Sequence, residues 1–363
     1  MIDERDSRLI QWLRFPLMVG VVFIHTDLRV VRPDLNGLPL FSETMGLFVD
    51  FVCGAAVPLF FFISGYLFQM GYARRTYVQH LRHRLRTLIL PYVLWIVLCI
   101  AIVAACQMLV PGFRLLLHKA IAECSATDFL WMFWDVSRAT GINTDQHGPL
   151  VGQFWFLQCL MVLTLLMPLL RWLVRRLCVI TLAVPFIVYA WGLLPHYPGI
   201  HAGALFYYTL GIAIATHRPH LALWLRQWGW TALPIFLILY IAKHHLLPQL
   251  PDALWAVETL LMVMAELWLA ERWVSRRHAG NGQLPSSVAW LAASSFFLFA
   301  SHRFFTAVLT NLARSGHLPL SSSTIALLSY LLGSAVIVVV CLACYALMRR
   351  CLPQTTRILT GGR

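Results

Sequence analysis

The sequence predicts an all-α fold: a polytopic transmembrane helical bundle of about ten spans, with both termini cytoplasmic. Three observations carry this expectation. Of 363 residues, 60% are hydrophobic and only 12% are charged, about half the ~25% usual in soluble domains. The apolar residues form long continuous runs, not the short alternating segments of a membrane barrel. Only helices and closed barrels satisfy their backbone groups in lipid. The basic residues lie between these runs with a strong one-sided bias. The same figures exclude a soluble enzyme, a disordered chain and a secreted disulfide scaffold.

A crossing needs about 20 mostly apolar residues. Ten runs approach that length: 10–28, 45–68, 88–110, 151–170, 177–195, 202–217, 228–247, 253–271, 288–310 and 323–348. The sixth is the shortest. With the N-terminus placed in the cytoplasm, nineteen Lys and Arg residues fall in inside segments and seven outside. Every inside segment is then basic, while Asp34, Glu43, Glu123, Asp128, Asp135 and Asp145 all fall outside. The net charge of +13 is therefore a topology signal, and no nucleic-acid partner is expected.

Residues 1–350 read as a single integral membrane domain and 351–363 as a short cytoplasmic tail. The chain opens with Asp3, Glu4 and Asp6, unlike the basic start of a cleavable signal. Its nine cysteines show no zinc-ligand or framework spacing, and no metal is expected. The long outer connection 111–150 carries an aromatic run, Phe129 to Trp134. This suits either an interfacial anchor or a cover over a site.

Ionisable residues inside spans are expensive and mark functional hypotheses. Seven lie away from the run ends and carry this reading: Arg14, His25, Asp50, Glu258, Glu266, His302 and Arg303. Arg14 and His25 are eleven residues apart, so they share one helix face with a rise of about 16 Å between them. A long thin molecule held at Arg14 would present its far end to His25. His25, Asp50, Glu258, His302 and Arg303 all fall in the outer half. They suit an acid/base site or a proton relay, with an ion pair between Arg303 and Asp50 or Glu258 as the structural alternative. His80 and His83 lie in a basic loop and read as solvated.

Several segments resemble the acyltransferase 3 family of integral membrane acyltransferases. The first run, RLIQWLRFPLMVGVVFIHTDLR, has that family's spacing of Arg and His at Arg14 and His25. VPLFFFISGYLF is similar to its FFxxSGFL signature, at Ser64, Gly65 and Tyr66. RHRLRTLILPYVLW resembles its basic loop leading into RxxPY, at Arg86, Pro91 and Tyr92. GQFWFLQCLMVL carries a WFL segment at Trp155 and Phe156, and SSFFLFASHRFF places His302 where the family has a His. One departure is that Gln158 stands in a stretch where many members have Glu.

The resemblance implies O-acyl transfer, most often acetyl, from cytoplasmic acetyl-CoA to a hydroxyl of an extracytoplasmic or lipid-linked glycan, in a bacterial inner membrane. Phosphates of the donor would bind Arg14, Arg75, Arg82 and Arg86, with Ser64 beside them, since guanidinium matches phosphate bidentately. His25 would act as general base. His302 or Arg303 would polarise the thioester carbonyl or orient the acceptor, and an acyl-His25 intermediate is a second route. Expected partners are a polymeric or lipid-linked glycan, membrane lipids and other polysaccharide-biosynthesis membrane proteins. Exopolysaccharide or glycolipid acetylation fits the chain's size. Two other classes stay open: a proton-coupled secondary transporter, and a non-catalytic component of a polysaccharide export system.

Overall fold

The computed structural model describes residues 4–72, 76–110, 119–139, 147–195, 197–218, 220–277 and 284–362. In chain order its α-helices are α1 (Glu4–His25), α2 (Pro39–Leu47), α3 (Ala56–Gly71), α4 (Tyr77–Arg84), α5 (Leu90–Leu109), α6 (Ala126–Met132), α7 (Trp155–Ala190), α8 (Ala202–His217), α9 (Leu221–Trp228), α10 (Ala232–Ile241), α11 (Leu254–Arg277), α12 (Ser286–Arg314), α13 (Ser323–Cys351) and α14 (Pro353–Leu359). Among the described residues no strand forms, only an isolated bridge between Tyr197 and Ile200. The all-helical expectation holds.

Among the described residues six helical stretches are long and apolar enough to cross a membrane: Glu4–Val30, Pro39–Gly71, Tyr77–Leu109, Gly152–Ala190, Ser286–Arg314 and Ser323–Cys351. The remaining apolar runs form shorter or more charged helices. The run 228–247 is divided between a 3-10 turn, the ten-residue α10 and a π-helical turn at Ala242–Leu246. α7 differs from expectation in another way. The basic connection expected at Arg171–Arg176 is itself helical, since no glycine or proline interrupts it. At 36 residues and about 1.5 Å each, α7 is too long for one straight crossing of about 30 Å. It breaks at Leu177, whose backbone leaves the helical region with φ −136° and ψ 44°.

The chain forms two compact units. The larger comprises Met1–Arg75, Leu169–Leu194 and Ala202–Leu342. Here α3 packs along α8 with unusually close backbones. A Cβ at Gly65 would lie 2.0 Å from the Tyr208 carbonyl oxygen, and one at Gly211 would lie 2.1 Å from that of Phe62. The two glycines therefore admit the contact, as small residues do between helices in lipid. α1 packs against α12, α3 and α11. Beyond its C-terminus a core of Leu28, Leu35, Phe41, Met45, Val49, Ala313 and Tyr330 closes that end of the unit. The Tyr330 hydroxyl donates to the Phe23 carbonyl at 3.0 Å, and the Thr26 and Ser334 hydroxyls meet at 2.6 Å.

The smaller unit comprises Thr76–Pro168, Pro195–His201 and Ala343–Arg363. α4 opens with a capping box at Thr76 and Gln79, which satisfies orphan amides at its start. α5 has Pro91 in its first turn, where the missing N–H costs nothing. The expected tail is an ordered helix: α14 packs on α5, and Trp95 Nε1 donates to the Leu359 carbonyl at 3.0 Å. His80 is buried rather than solvated.

Candidate functional site

α1 and α12 bring together three of the predicted residues in the larger unit. His25 is the last residue of α1, and His302 and Arg303 lie within α12. The His25 and His302 rings have centroids 5.2 Å apart, and Arg303 Nη1 stands 3.5 Å from His25 Nδ1. His302 is fully buried, and its Nδ1 lies 3.0 Å from the Leu298 carbonyl oxygen. A carbonyl oxygen only accepts, so that contact assigns the proton to Nδ1 and leaves a lone pair on Nε2. His302 Nε2 is buried and has no hydrogen-bond partner among the described residues. Arginine only donates, so the long contact to His25 assigns a lone pair to Nδ1 and the proton to Nε2. The site thus holds one fixed cation, one bare imidazole lone pair and one imidazole N–H within the same helix contact.

The other outer-half charges do not join this group. Arg29 clamps Asp27 and Asp50, with Nη2 2.8 Å from Asp27 Oδ2 and 2.6 Å from Asp50 Oδ1. Glu258, fully buried on α11, faces His244 Nε2 at 3.3 Å and Lys243 Nζ at 3.7 Å. The expected single cluster of His25, Asp50, Glu258, His302 and Arg303 is therefore corrected to three separate groups. The expected ion pair of Arg303 with Asp50 or Glu258 is replaced by pairs to Arg29, Lys243 and His244. Those three residues carried no role in the sequence reading. Arg29 has a local signal, its position two residues after Asp27. Lys243 and His244 have none, because their partner comes from another helix.

The residues expected to hold the donor are more scattered. Arg14 is half-buried on α1, eleven residues before His25, and makes no hydrogen bond or ion pair among the described residues. Ser64 is half-buried on α3, one residue before the Gly65 contact with α8. Its neighbour Tyr66 donates to Asp6 Oδ2 at 2.6 Å. The buried Asp6 also accepts from the backbone N–H groups of Leu221 at 3.2 Å and Ala222 at 2.9 Å. The SGY segment therefore serves helix packing and a carboxylate cap on α9. Arg75 lies outside the described residues. Arg82 and Arg86 belong to the smaller unit, where both are exposed, on α4 and the π-helical turn before α5.

In that smaller unit, two further motif residues meet. Gln158 Nε2 donates to the Tyr92 hydroxyl at 3.2 Å and to the Trp134 carbonyl at 2.8 Å, while the Tyr92 hydroxyl donates to the Phe133 carbonyl. Gln158 is fully buried. An amide can donate to both oxygens here, whereas an ionised Glu would face them with acceptors only. Tyr92 and Gln158 thus tie α5 and α7 to the aromatic run.

The His25–His302–Arg303 group thus lies between two helices long enough and apolar enough to cross a bilayer. The acyltransferase-domain family matches residues 8–346, and the chain belongs to this acyltransferase 3 family. Among curated proteins it is similar to the succinoglycan biosynthesis protein ExoH of Rhizobium meliloti (strain 1021). The two are 25% identical over 371 residues, spanning 100% of this chain and 94% of that protein. No solved structure matches it.

Proposed function

We propose that the protein transfers an acetyl or related acyl group from cytoplasmic acyl-CoA to a sugar hydroxyl of an extracytoplasmic or lipid-linked polysaccharide. The observation that carries this reading is the His25–His302–Arg303 group, positioned by two membrane-spanning helices. The similar Rhizobium protein is named for succinoglycan biosynthesis, which favours an exopolysaccharide acceptor. The topology that goes with it has ten spans and both termini in the cytoplasm of a bacterial inner membrane, as the nineteen-to-seven split of basic residues supports.

In this mechanism the acceptor oxygen attacks the thioester carbonyl carbon. A C–O bond forms, the C–S bond breaks, and the hydroxyl proton passes to an imidazole. The thiolate of CoA leaves and takes up a proton. His25 serves as the base through Nδ1, the lone pair now facing Arg303. Released from that contact, the Arg303 guanidinium supplies its positive charge to the developing oxyanion. A second reading makes His302 the base, favoured by its unpartnered Nε2.

The test uses inside-out membranes, acyl-labelled acetyl-CoA and an extract of lipid-linked glycans. Wild type is compared with His25→Ala and His302→Ala, with folding checked by thermal stability. Label in the glycan from wild type alone supports the reading. Label from His25→Ala but not His302→Ala moves the base to His302. Absence of labelling across several acyl donors and acceptors overturns the transferase reading.

A further inference from the structure

At the opposite end of α1 from His25, the larger unit has a cleft of about 210 Å³ between α1, α9 and α11. Arg5, Arg8, Arg226, Glu271 and Ser275 supply its polar lining. Three guanidinium groups against one carboxylate leave it net positive. Glu271 is only 3% exposed. Its Oε1 accepts from Ser275 Oγ at 2.5 Å and lies 3.4 Å from Arg226 Nε, while Oε2 is buried and has no hydrogen-bond partner among the described residues. The cleft therefore combines donors for an anion with one carboxylate oxygen short of a donor.

Two observations separate this cleft from the acyl-transfer site. Arg5 and Arg14 are nine residues apart, so at about 100° per residue they face opposite sides of α1. The volume also falls below the ~300–1,000 Å³ of pockets that enclose a whole small molecule, so it suits a terminal group. A third observation sets its level in the membrane. Trp228 and Trp230, two and four residues after Arg226, and Trp273, two residues after Glu271, are all exposed. Exposed Trp gathers at the headgroup layer.

We propose that this cleft binds the headgroup of an anionic glycerophospholipid, its phosphate held by Arg5, Arg8 and Arg226 and a headgroup hydroxyl donating to Glu271. Basic pockets between membrane helices on the cytoplasmic side take such groups, and arginine matches phosphate bidentately. The hydroxyl completes Glu271, which a phosphate alone would only repel.

The test is thermal unfolding of the full chain in nanodiscs of phosphatidylcholine alone, or with added phosphatidylglycerol or phosphatidic acid. Phosphatidylglycerol raises the unfolding midpoint of wild type most. The amount needed for half of that rise increases about fivefold for each arginine removed in Arg5→Ala, Arg8→Ala and Arg226→Ala. If the alanine variants do not fold, the corresponding Arg→Lys set is measured, and it retains part of the rise. Glu271→Gln narrows the gap between phosphatidylglycerol and phosphatidic acid. Arg272→Ala/Arg276→Ala, at the same end but outside the cleft, keeps the full effect. An equal rise in the cleft variants overturns the proposal, as does its loss in the Arg272/Arg276 control or an unchanged headgroup gap in Glu271→Gln. Stabilisation by CoA or inorganic phosphate in phosphatidylcholine alone, lost in the arginine variants, also overturns it in favour of a soluble phosphate ligand.

Discussion

His25 and His302 lie ring to ring across the α1–α12 contact, their centroids 5.2 Å apart and their planes inclined by 31°. One imidazole has its Nδ1 beside a guanidinium, and the other has its Nδ1 on a backbone carbonyl. The two rings therefore differ in which nitrogen is available, although they are neighbours. In the proposed transfer, this asymmetry would give the pair distinct roles in moving a proton.

Replacing the base should be severe. A positioned general base contributes about 10²–10⁴ in rate, so His25→Ala should lower acyl transfer by that order with the unfolding midpoint little changed. Arg303→Lys keeps the charge but not the planar fork, and it should retain more activity than Arg303→Ala. Initial rates of label transfer at saturating donor check both. Equal rates for wild type and His25→Ala would remove His25 from the chemistry.

A second prediction concerns the α3–α8 contact. A methyl at Gly65 would meet the Tyr208 carbonyl at 2.0 Å, and a backbone atom cannot swing aside as a flexible side chain does. Overpacking of this kind typically costs about 1–3 kcal/mol. Gly65→Ala should lower the unfolding midpoint in detergent, and Gly211→Ala should do the same. The double variant should cost less than the two singles added, because one separation of the helices relieves both clashes.

The helical class and the longest spans were legible because they depend on length and composition, which the chain carries locally. The Arg14–His25 spacing was legible for the same reason, as one helix fixes it. The grouping of charges was not. Asp50, Glu258 and Arg303 share a depth, but depth leaves the azimuth of each helix open. Arg29, Lys243 and His244 took the carboxylates instead. Asp6 was read only as evidence against a signal sequence, because its three donors come from Tyr66, Leu221 and Ala222, far along the chain. The break at Leu177 carries no glycine or proline to announce it.

Asp6 yields the third prediction. Its carboxylate accepts from the Tyr66 hydroxyl and from two amides at the start of α9. Those amides have no partner within the helix. Capping a helix start is worth about 0.5–2 kcal/mol, and a hydrogen bond to a charged group adds about 1.5–3. Asp6→Ala should therefore destabilise by a few kcal/mol. Tyr66→Phe, which removes one bond and leaves the cap, should cost less. Chemical unfolding of both variants in the same detergent gives the order, and an inverted order would show that the cap contributes little.

The fourth prediction is a pH dependence outside the spans. Asp135 is nearly buried in the loop before α7, which pushes its carboxyl up. Hydrogen bonds from Ser137 Oγ at 2.6 Å and from His147 outweigh that and hold it below the usual carboxylate range. A depressed value means that the folded loop favours the ionised form. Its contribution is fully present above the unfolded value of about 3.9, and it is lost as pH falls through the lower folded value. Local amide protection at Val136 and Ala139 should therefore be constant from neutral pH to about pH 4 and weaken below it. In Asp135→Asn the protection should already be low at neutral pH and show no acid step. Hydrogen exchange extrapolated to a common pH separates the two. An acid step of the same size in Asp135→Asn would assign the titration to another carboxylate.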